Sequence, residues 1–157
     1  MRAALLFVQT SKDSWHQDSN QVYLEKISRM LPFDVVAVKS DSSGRKEKDR
    51  KITAEDSRLL KVLSPDDWVI AFDEKGKTFS SSREFSQFLV KKLEMGKARV
   101  VFIIGGAFGL GPEVRARANE FISLSPLTMN HQVASLVALE QIYRALTIWK
   151  GIPYHNE

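Results

Sequence analysis

Two short loops of this sequence contain most of the residues that could hold a ligand. The first is a glycine cluster, Gly105, Gly106, Gly109 and Gly111, which follows the apolar run Val100–Ile104. Glycine has no Cβ, so the backbone can turn sharply and a ligand can approach it closely. The spacing fits neither the dinucleotide-binding pattern nor a P-loop. The pattern therefore leaves two readings open, a ligand-holding loop and a tight strand-to-helix turn without a ligand.

The second loop is Ser125, Pro126, Leu127 and Thr128, directly after the apolar run Phe121–Leu124. In an open α/β sheet, ligands bind outside the carboxyl ends of the strands. Since both loops follow apolar runs typical of buried strands, we expect them to meet at one edge of a sheet.

The residues available for catalysis indicate a ligand that brings its own reactivity. The three histidines, His16, His131 and His155, lack metal-ligand spacing, so we predict no metal site. No Gly-x-Ser-x-Gly elbow and no close carboxylate pair is present. Glu140 and Arg144, spaced i and i+4, can form an ion pair. What remains is a glycine-lined pocket and a terminal Tyr-His, which suits a cofactor that supplies the reactive group.

Apolar runs and helical periodicity alternate along the chain, which predicts an α/β fold with a mostly parallel sheet. We treat residues 1–157 as one domain, since this length can bury a sizeable core. The predicted strands are Ala3–Val8, Phe33–Val38, Trp68–Phe72, Val100–Ile104 and Phe121–Leu124. The predicted helices are Asn20–Leu31, Thr53–Leu63, one that starts at Pro112, and His131–Lys150. A further helix, capped by Ser81 or Ser82 and followed by Gly96 at its C′ position, is predicted to carry Phe85, Phe88, Leu89 and Leu93.

Composition indicates a cytoplasmic protein. Cysteine is absent from the 157 residues, which excludes disulfides and thiolate metal sites. No apolar stretch approaches the ~20 residues of a membrane span, and the N-terminus reads as a strand and not as a signal peptide. The net charge of +4 permits a nucleic-acid partner without requiring one.

One segment, Gly44–Lys51, is unusually basic. It has five basic residues (Arg45, Lys46, Lys48, Arg50, Lys51) and two acidic ones (Glu47, Asp49), a net of +3. Two interpretations are open, a solvated loop or an arm that contacts RNA phosphates.

Four ordered motifs give the chain a strong resemblance to a known family, the ribosomal RNA large-subunit methyltransferase H family of the SPOUT class. The resemblance spans nearly the whole chain, including a Phe72-Asp73-x-x-Gly76-Lys77 turn. The motifs are Ile103-Ile104-Gly105-Gly106-x-x-Gly109-Leu110, Leu124-Ser125-x-Leu127-Thr128, Glu140-x-x-Tyr143-Arg144-Ala145 and Pro153-Tyr154-His155.

This resemblance implies a SPOUT α/β fold with a C-terminal trefoil knot, a homodimer, and S-adenosylmethionine bound in the knot. It implies methylation at N3 of a pseudouridine in large-subunit ribosomal RNA, on the assembled ribosome. Carried over by position, the cofactor-binding residues are Phe72, Gly106, Ser125, Pro126, Leu127, Thr128, Met129 and Asn130. Tyr154 and His155 are expected at the target base, completing the site of the partner subunit.

The implied mechanism requires that the base is aligned with a methyl group that is already activated. It also requires a group that accepts the proton lost from N3. We expect His155 to act as a base or a positioning group, since histidine titrates near neutrality. Arg144 is expected to stabilise negative charge on the base or to hold a phosphate.

The chain departs from the family at Asn130, Ser135 and Asn156, where proline, arginine and a basic residue are usual. Two further functions therefore stay open. One is methylation of another RNA site or of tRNA, and the other is a ribosome-binding module without catalysis.

Overall fold

The fold is built on a five-stranded sheet in which every pairing is parallel. The computed structural model describes residues 1–11 and 13–157, apart from the side chain of residue 45. The strands are β1 (Ala3–Gln9), β2 (Phe33–Lys39), β3 (Asp67–Lys77), β4 (Arg99–Ile104) and β5 (Glu120–Ile122). Their order across the sheet is β2-β1-β4-β3-β5. The predicted α/β class and parallel sheet are confirmed, and the carboxyl ends of all the strands lie at one edge.

Five helices cover the two faces of this sheet. They are α1 (Ser14–Ser28), α2 (Lys48–Val62), α3 (Ser82–Leu93), α4 (Pro112–Arg117) and α5 (His131–Lys150). Side chains alternate along a strand, so Leu5 and Phe102 join the core beneath α1, α3 and α5. Leu6 and Val101 point the other way and pack beneath α2 and α4. This two-sided burial explains why the central strands are continuous apolar runs.

The first helix begins and ends earlier than the predicted Asn20–Leu31. It starts at Ser14 and ends at Ser28. Its first turns bury His16 and Asn20, which are polar, so the apolar periodicity used for the prediction did not register them. The last residues of the predicted helix form a turn, in which the N–H groups of Met30 and Leu31 both donate to the carbonyl of Ile27.

The basic segment Gly44–Lys51 is not the loop that one interpretation proposed. A single 3₁₀ turn at Arg45–Glu47 leads directly into α2 at Lys48. The Thr53 hydroxyl donates to the Asp49 carbonyl 2.9 Å away inside the helix, so the predicted helix start at Thr53 is wrong. Lysine, arginine and glutamate are good helix formers, and the segment is helical because of that propensity despite its lack of apolar residues.

The carboxyl edge of the sheet is shaped by glycines and helix starts. Pro112 occupies the first turn of α4, as predicted. At the far end of α5, away from this edge, Gly151 terminates the helix with a left-handed φ of 67°. Gly76 in β3 packs against the β5 backbone, where a Cβ would lie 2.7 Å from the Ile122 nitrogen.

The threading of the chain into a knot stays a prediction. Within the described ranges, no helix combines the length and apolar character needed to span a membrane.

Candidate cofactor and substrate site

A cleft of about 490 Å³ opens at the carboxyl edge of the sheet. The end of β3, the glycine loop after β4, and the loop between β5 and α5 form its walls. Its size falls within the ~300–1,000 Å³ of small-molecule sites. Of the eight predicted cofactor residues, the structure brings seven into its lining: Phe72, Gly106, Ser125, Leu127, Thr128, Met129 and Asn130. Pro126 lies between lining residues without lining the cleft itself.

The glycine loop is a tight reversal with no room for a side chain at Gly105. Gly109 donates its N–H to the Gly106 carbonyl at 3.0 Å and adopts a left-handed φ of 77°. A Cβ on Gly105 would lie 2.7 Å from the Gly109 carbonyl carbon. At its glycines the loop therefore presents backbone to the cleft beside Ala107 and Phe108, and backbone groups suit the polar atoms of a nucleoside. On this observation the residues present fit S-adenosylmethionine.

The second wall is held by its own short hydrogen bonds. Ser125 Oγ accepts from the Leu127 N–H at 3.0 Å. The Thr128 hydroxyl donates to Glu74 Oε2 at 2.9 Å, which joins this loop to the end of β3. Asn130 caps α5, since its Oδ1 accepts from the Gln132 N–H at 2.8 Å. An asparagine at this position thus has a structural role in starting the helix.

Two acidic residues of α2 support the glycine loop from behind, and sequence reasoning missed both of these roles. Asp56 is 1% exposed, and its carboxylate accepts from the N–H groups of Gly111 at 2.9 Å and Val114 at 3.1 Å. Glu55, 3% exposed, lies behind Gly106. The only sequence signal was a pair of acidic residues in a helix, which is usual on solvent-facing surfaces.

The rim of the cleft carries a few charged groups. Asp73 pairs with Arg115 at 2.7 Å. The pKa of Asp73 is lowered, first by the hydrogen bond from the Lys75 N–H and also by Arg115. His131, at the start of α5, lies 2.5 Å from the Thr10 hydroxyl through Nε2. Burial lowers the pKa of His131.

The predicted catalytic residues form a second cluster along α5. Glu140 Oε1 accepts from Arg144 Nε at 3.1 Å, from Arg144 Nη2 at 2.5 Å and from the Tyr154 hydroxyl at 3.0 Å. Burial, followed by the hydrogen bond to Glu140, raises the pKa of Tyr154 to about 12. The structure thus brings Arg144, Tyr154 and His155 together, and the tail packs on α5 instead of fraying.

The contact between Arg144 and His155 determines which ring nitrogen of His155 can donate a hydrogen bond to a ligand. Its Nδ1 lies 3.2 Å from Arg144 Nη1. Because a guanidinium only donates, Nδ1 must accept, and the neutral ring then carries its proton on Nε2. In this arrangement His155 offers a hydrogen-bond donor to a ligand, which favours the positioning role over the role of a base.

This second cluster does not line the cleft. Arg144 follows His131 by 13 residues along α5, a rise of roughly 20 Å at the helical repeat. The structure therefore brings the cofactor residues together and the catalytic residues together, but as two separate groups. Among the described residues, no group of three or more His, Cys, Asp or Glu side chains is placed to hold a metal ion.

At the position where the resemblance leads us to expect arginine, the structure shows a buried polar pair. Ser135 is fully buried, and its Oγ lies 2.6 Å from His16 Nε2. His16 is 1% exposed and packs edge-on against Phe7. Ser135 therefore belongs to the interior between α1 and α5 and does not present a group to a substrate.

Comparisons with known proteins agree over the full length of the chain. The family model described as "Predicted SPOUT methyltransferase" matches residues 1–155. The protein named "Ribosomal RNA large subunit methyltransferase H" from Bdellovibrio bacteriovorus is 44% identical over 156 residues, 99% of each chain. The protein of the same name from Gemmatimonas aurantiaca is 39% identical over 156 residues, covering 99% of this chain and 100% of its own.

Solved structures show the same fold at low sequence identity. A probable methyltransferase from Bordetella pertussis superimposes with a TM-score of 0.58 at 15% identity, over 92% of this chain and 96% of its own. A probable methylase family protein from Haemophilus influenzae gives 0.55 at 15% identity, over 99% and 70%.

Proposed function

Because this chain belongs to the SPOUT methyltransferase family, we propose that it methylates N3 of a pseudouridine in large-subunit ribosomal RNA, with S-adenosylmethionine as the methyl donor. The observation that carries the proposal is the cleft formed by the glycine-containing loop after β4 on one side and the Ser125–Asn130 loop on the other. Relatives named for ribosomal RNA methylation match 99% of this chain.

In this proposal the cofactor supplies a methyl group on a positively charged sulfur, so no metal is needed to activate it. Backbone groups of Gly106 and of the Ser125–Asn130 loop hold the adenosine part, and Phe72 closes the inner end of the cleft. Fixing both partners in line removes much of the entropic barrier of a bimolecular reaction, which is worth up to roughly 7–11 kcal/mol in favourable cases.

The remaining residues act on the target base. Arg144 stabilises negative charge that develops on the base as N3 loses its proton. His155 donates from Nε2 to a base carbonyl and so orients the ring. Since these residues lie away from the cleft of their own subunit, we propose that a homodimer places the tail of one chain at the cleft of the other.

The proposal is tested by mapping modified nucleosides in large-subunit ribosomal RNA from cells that lack this protein. We expect one N3-methylated pseudouridine to become unmethylated and to be restored by the wild-type gene. Purified protein should then transfer methyl groups to ribosomes from those cells in preference to free ribosomal RNA or tRNA.

Two other outcomes would contradict the proposal and identify the alternatives. Methylation of tRNA, or of a different ribosomal nucleotide, would mean a SPOUT enzyme with another substrate. Ribosome binding without any methyl transfer would mean a binding module of the same fold.

A further inference from the structure

A buried carboxylate lies directly behind the glycine loop. Glu55 is 3% exposed, and its Oε2 accepts from the Ser40 hydroxyl at 2.9 Å and from the Asp41 N–H at 3.0 Å. Its other oxygen, Oε1, is buried without a hydrogen-bond partner among the residues that the structure describes. A buried, half-satisfied carboxylate destabilises the fold, so its presence here suggests a use in function.

The bare oxygen points at the loop that lines the cleft. A Cβ built on Gly106 would lie 2.7 Å from Oε1 and 3.2 Å from Val8 Cγ1. Because Gly106 has no side chain, the carboxylate approaches the loop with only backbone between itself and the cleft. Its negative charge also acts on His131 in the cleft wall. Burial lowers the pKa of His131, and the charge of Glu55 partly offsets that lowering.

The other charged groups facing the cleft are neutralised or solvated. Asp73 pairs with Arg115 at 2.7 Å. Glu74 is exposed to solvent and accepts from the Thr128 hydroxyl. Water screens exposed charges strongly, whereas a buried charge acts over a longer distance. Asp56 is also buried behind the loop, but both of its oxygens accept backbone N–H groups at the start of α4. Among the described acids near the cleft, Glu55 is thus the one with a buried, unpartnered oxygen facing the loop.

We propose that Glu55 makes the cleft prefer the cationic methyl donor over its neutral product. The inference rests on the proposed function, because it takes S-adenosylmethionine as the ligand. Methyl transfer breaks the bond between sulfur and the methyl carbon, and the electron pair stays on sulfur. The sulfur is therefore positive in the donor and neutral in S-adenosylhomocysteine, while every other charged group is the same. A fixed negative charge behind the loop acts on that difference and favours release of the product.

The test compares the dissociation constants of both ligands, measured by calorimetry, for the wild type and Glu55→Gln. Glutamine keeps the size of the side chain and removes its charge. At an effective dielectric of about 20, the loss of one of two unit charges about 10 Å apart corresponds to roughly a 17-fold change in a dissociation constant, so the Kd of the donor should rise on the order of tenfold. The Kd of S-adenosylhomocysteine should change less than about twofold, since that ligand lacks the sulfonium.

Two matched variants separate charge from structure. Ser40→Ala removes one anchor of Oε2 and keeps the charge, so the two Kd values should move together. Glu25→Gln removes a negative charge from an exposed position of α1 and should leave both Kd values unchanged, which excludes an effect of net charge. Circular dichroism and thermal unfolding check that each variant is folded.

Equal changes in the two Kd values of Glu55→Gln would overturn the inference. If that variant fails to fold, Glu55→Asp decides the matter, because its shorter side chain draws the charge back from Gly106. The Kd of the donor should then rise more than that of the product, and equal rises would count against the role of Glu55. A wild-type protein that binds neither ligand would instead refute the proposed function.

Discussion

His16 is a titratable side chain enclosed between α1 and α5. Burial lowers its pKa, and the nearby His131 lowers it further. The unfolded chain, with a histidine pKa near 6.5, therefore binds more protons than the folded chain as the pH falls below that value. The stability gained from the neutral ring is fully present above about pH 6.5 and decreases as the pH falls toward the lowered pKa.

We therefore expect the free energy of unfolding, measured with urea, to be lower at pH 5.5 than at pH 7.5. His16→Gln should show a smaller decrease between these two pH values, because glutamine can still reach Ser135 but does not titrate. Carboxylates contribute mainly below about pH 5, so they affect this window little. An unchanged pH dependence in His16→Gln would mean that His16 is not responsible.

Tyr154 is predicted to lose its proton unusually late. Its pKa is raised to about 12 by burial and by the hydrogen bond to Glu140. In a titration followed by tyrosinate absorbance, one of the three tyrosines should ionise near pH 12. The stabilisation from the protonated phenol is present below about pH 10 and decreases between that pH and about 12. Tyr154→Phe should lack the ionisation near pH 12. If that ionisation persists in the variant, it belongs to another tyrosine.

At the scale of secondary-structure elements, the contact between α2 and α4 holds the glycine loop in place. Asp56 receives the N–H groups of Gly111 and Val114, which start α4. Asp56→Ala leaves both N–H groups buried without a partner, so we expect it to lower the free energy of unfolding by about 2–4 kcal/mol. Urea unfolding measures the loss, and Asp18→Ala on the exposed face of α1 is the control, with an expected change below about 0.5 kcal/mol. A loss of that small size in Asp56→Ala would show that the α2 contact does not support the loop.

Four elements show which parts of the fold the sequence could and could not predict. The central strand β4 and the helix α5 were predicted closely, because an unbroken apolar run and a 3.6-residue period followed by glycine are local signals. The start of α2 was missed because its residues are charged and its helical state leaves no apolar pattern. The first turns of α1 were missed because they bury polar side chains.

The candidate site was predictable to the same extent. The two loops of the cleft could be found because glycine and proline follow strands there. The support of the glycine loop by Asp56 could not be predicted. Asp56 and Gly111 lie 55 positions apart, and neither segment contains a pattern that indicates the other as its hydrogen-bond partner. The place of the half-buried His131 at the cleft could not be predicted, because its contact with Thr10 spans 121 positions.

At the scale of the whole molecule, the separation of the two residue clusters makes a prediction about assembly. The variant Gly105→Ala has a damaged cleft and an intact C-terminal tail. The variant His155→Ala has a damaged tail and an intact cleft. The added methyl group on Gly105 would press on the Gly109 backbone, so this variant should lose cofactor binding. If sites are shared between chains, mixed dimers contain one intact site each.

We expect each variant by itself to be nearly inactive, and an equal mixture refolded together to regain about a quarter of the wild-type activity, as random pairing in a two-fold dimer requires. Methyl transfer to ribosomes measures the recovery. A mixture as inactive as its parts would show that each chain uses its own tail. Gly109→Val, which forces a side chain into a left-handed conformation, serves as a second cleft variant.

The packing of the last residues also affects how the protein should be produced. The Tyr154 hydroxyl donates a hydrogen bond to Glu140, and Glu157 contacts Arg83 on α3. An affinity tag fused after Glu157 would therefore crowd the residues that we expect to contact the RNA. Met1 is 56% exposed and precedes β1 at the edge of the sheet opposite the cleft. Recombinant protein with its tag at the amino end should therefore keep its activity, whereas the same tag at the carboxyl end should diminish it.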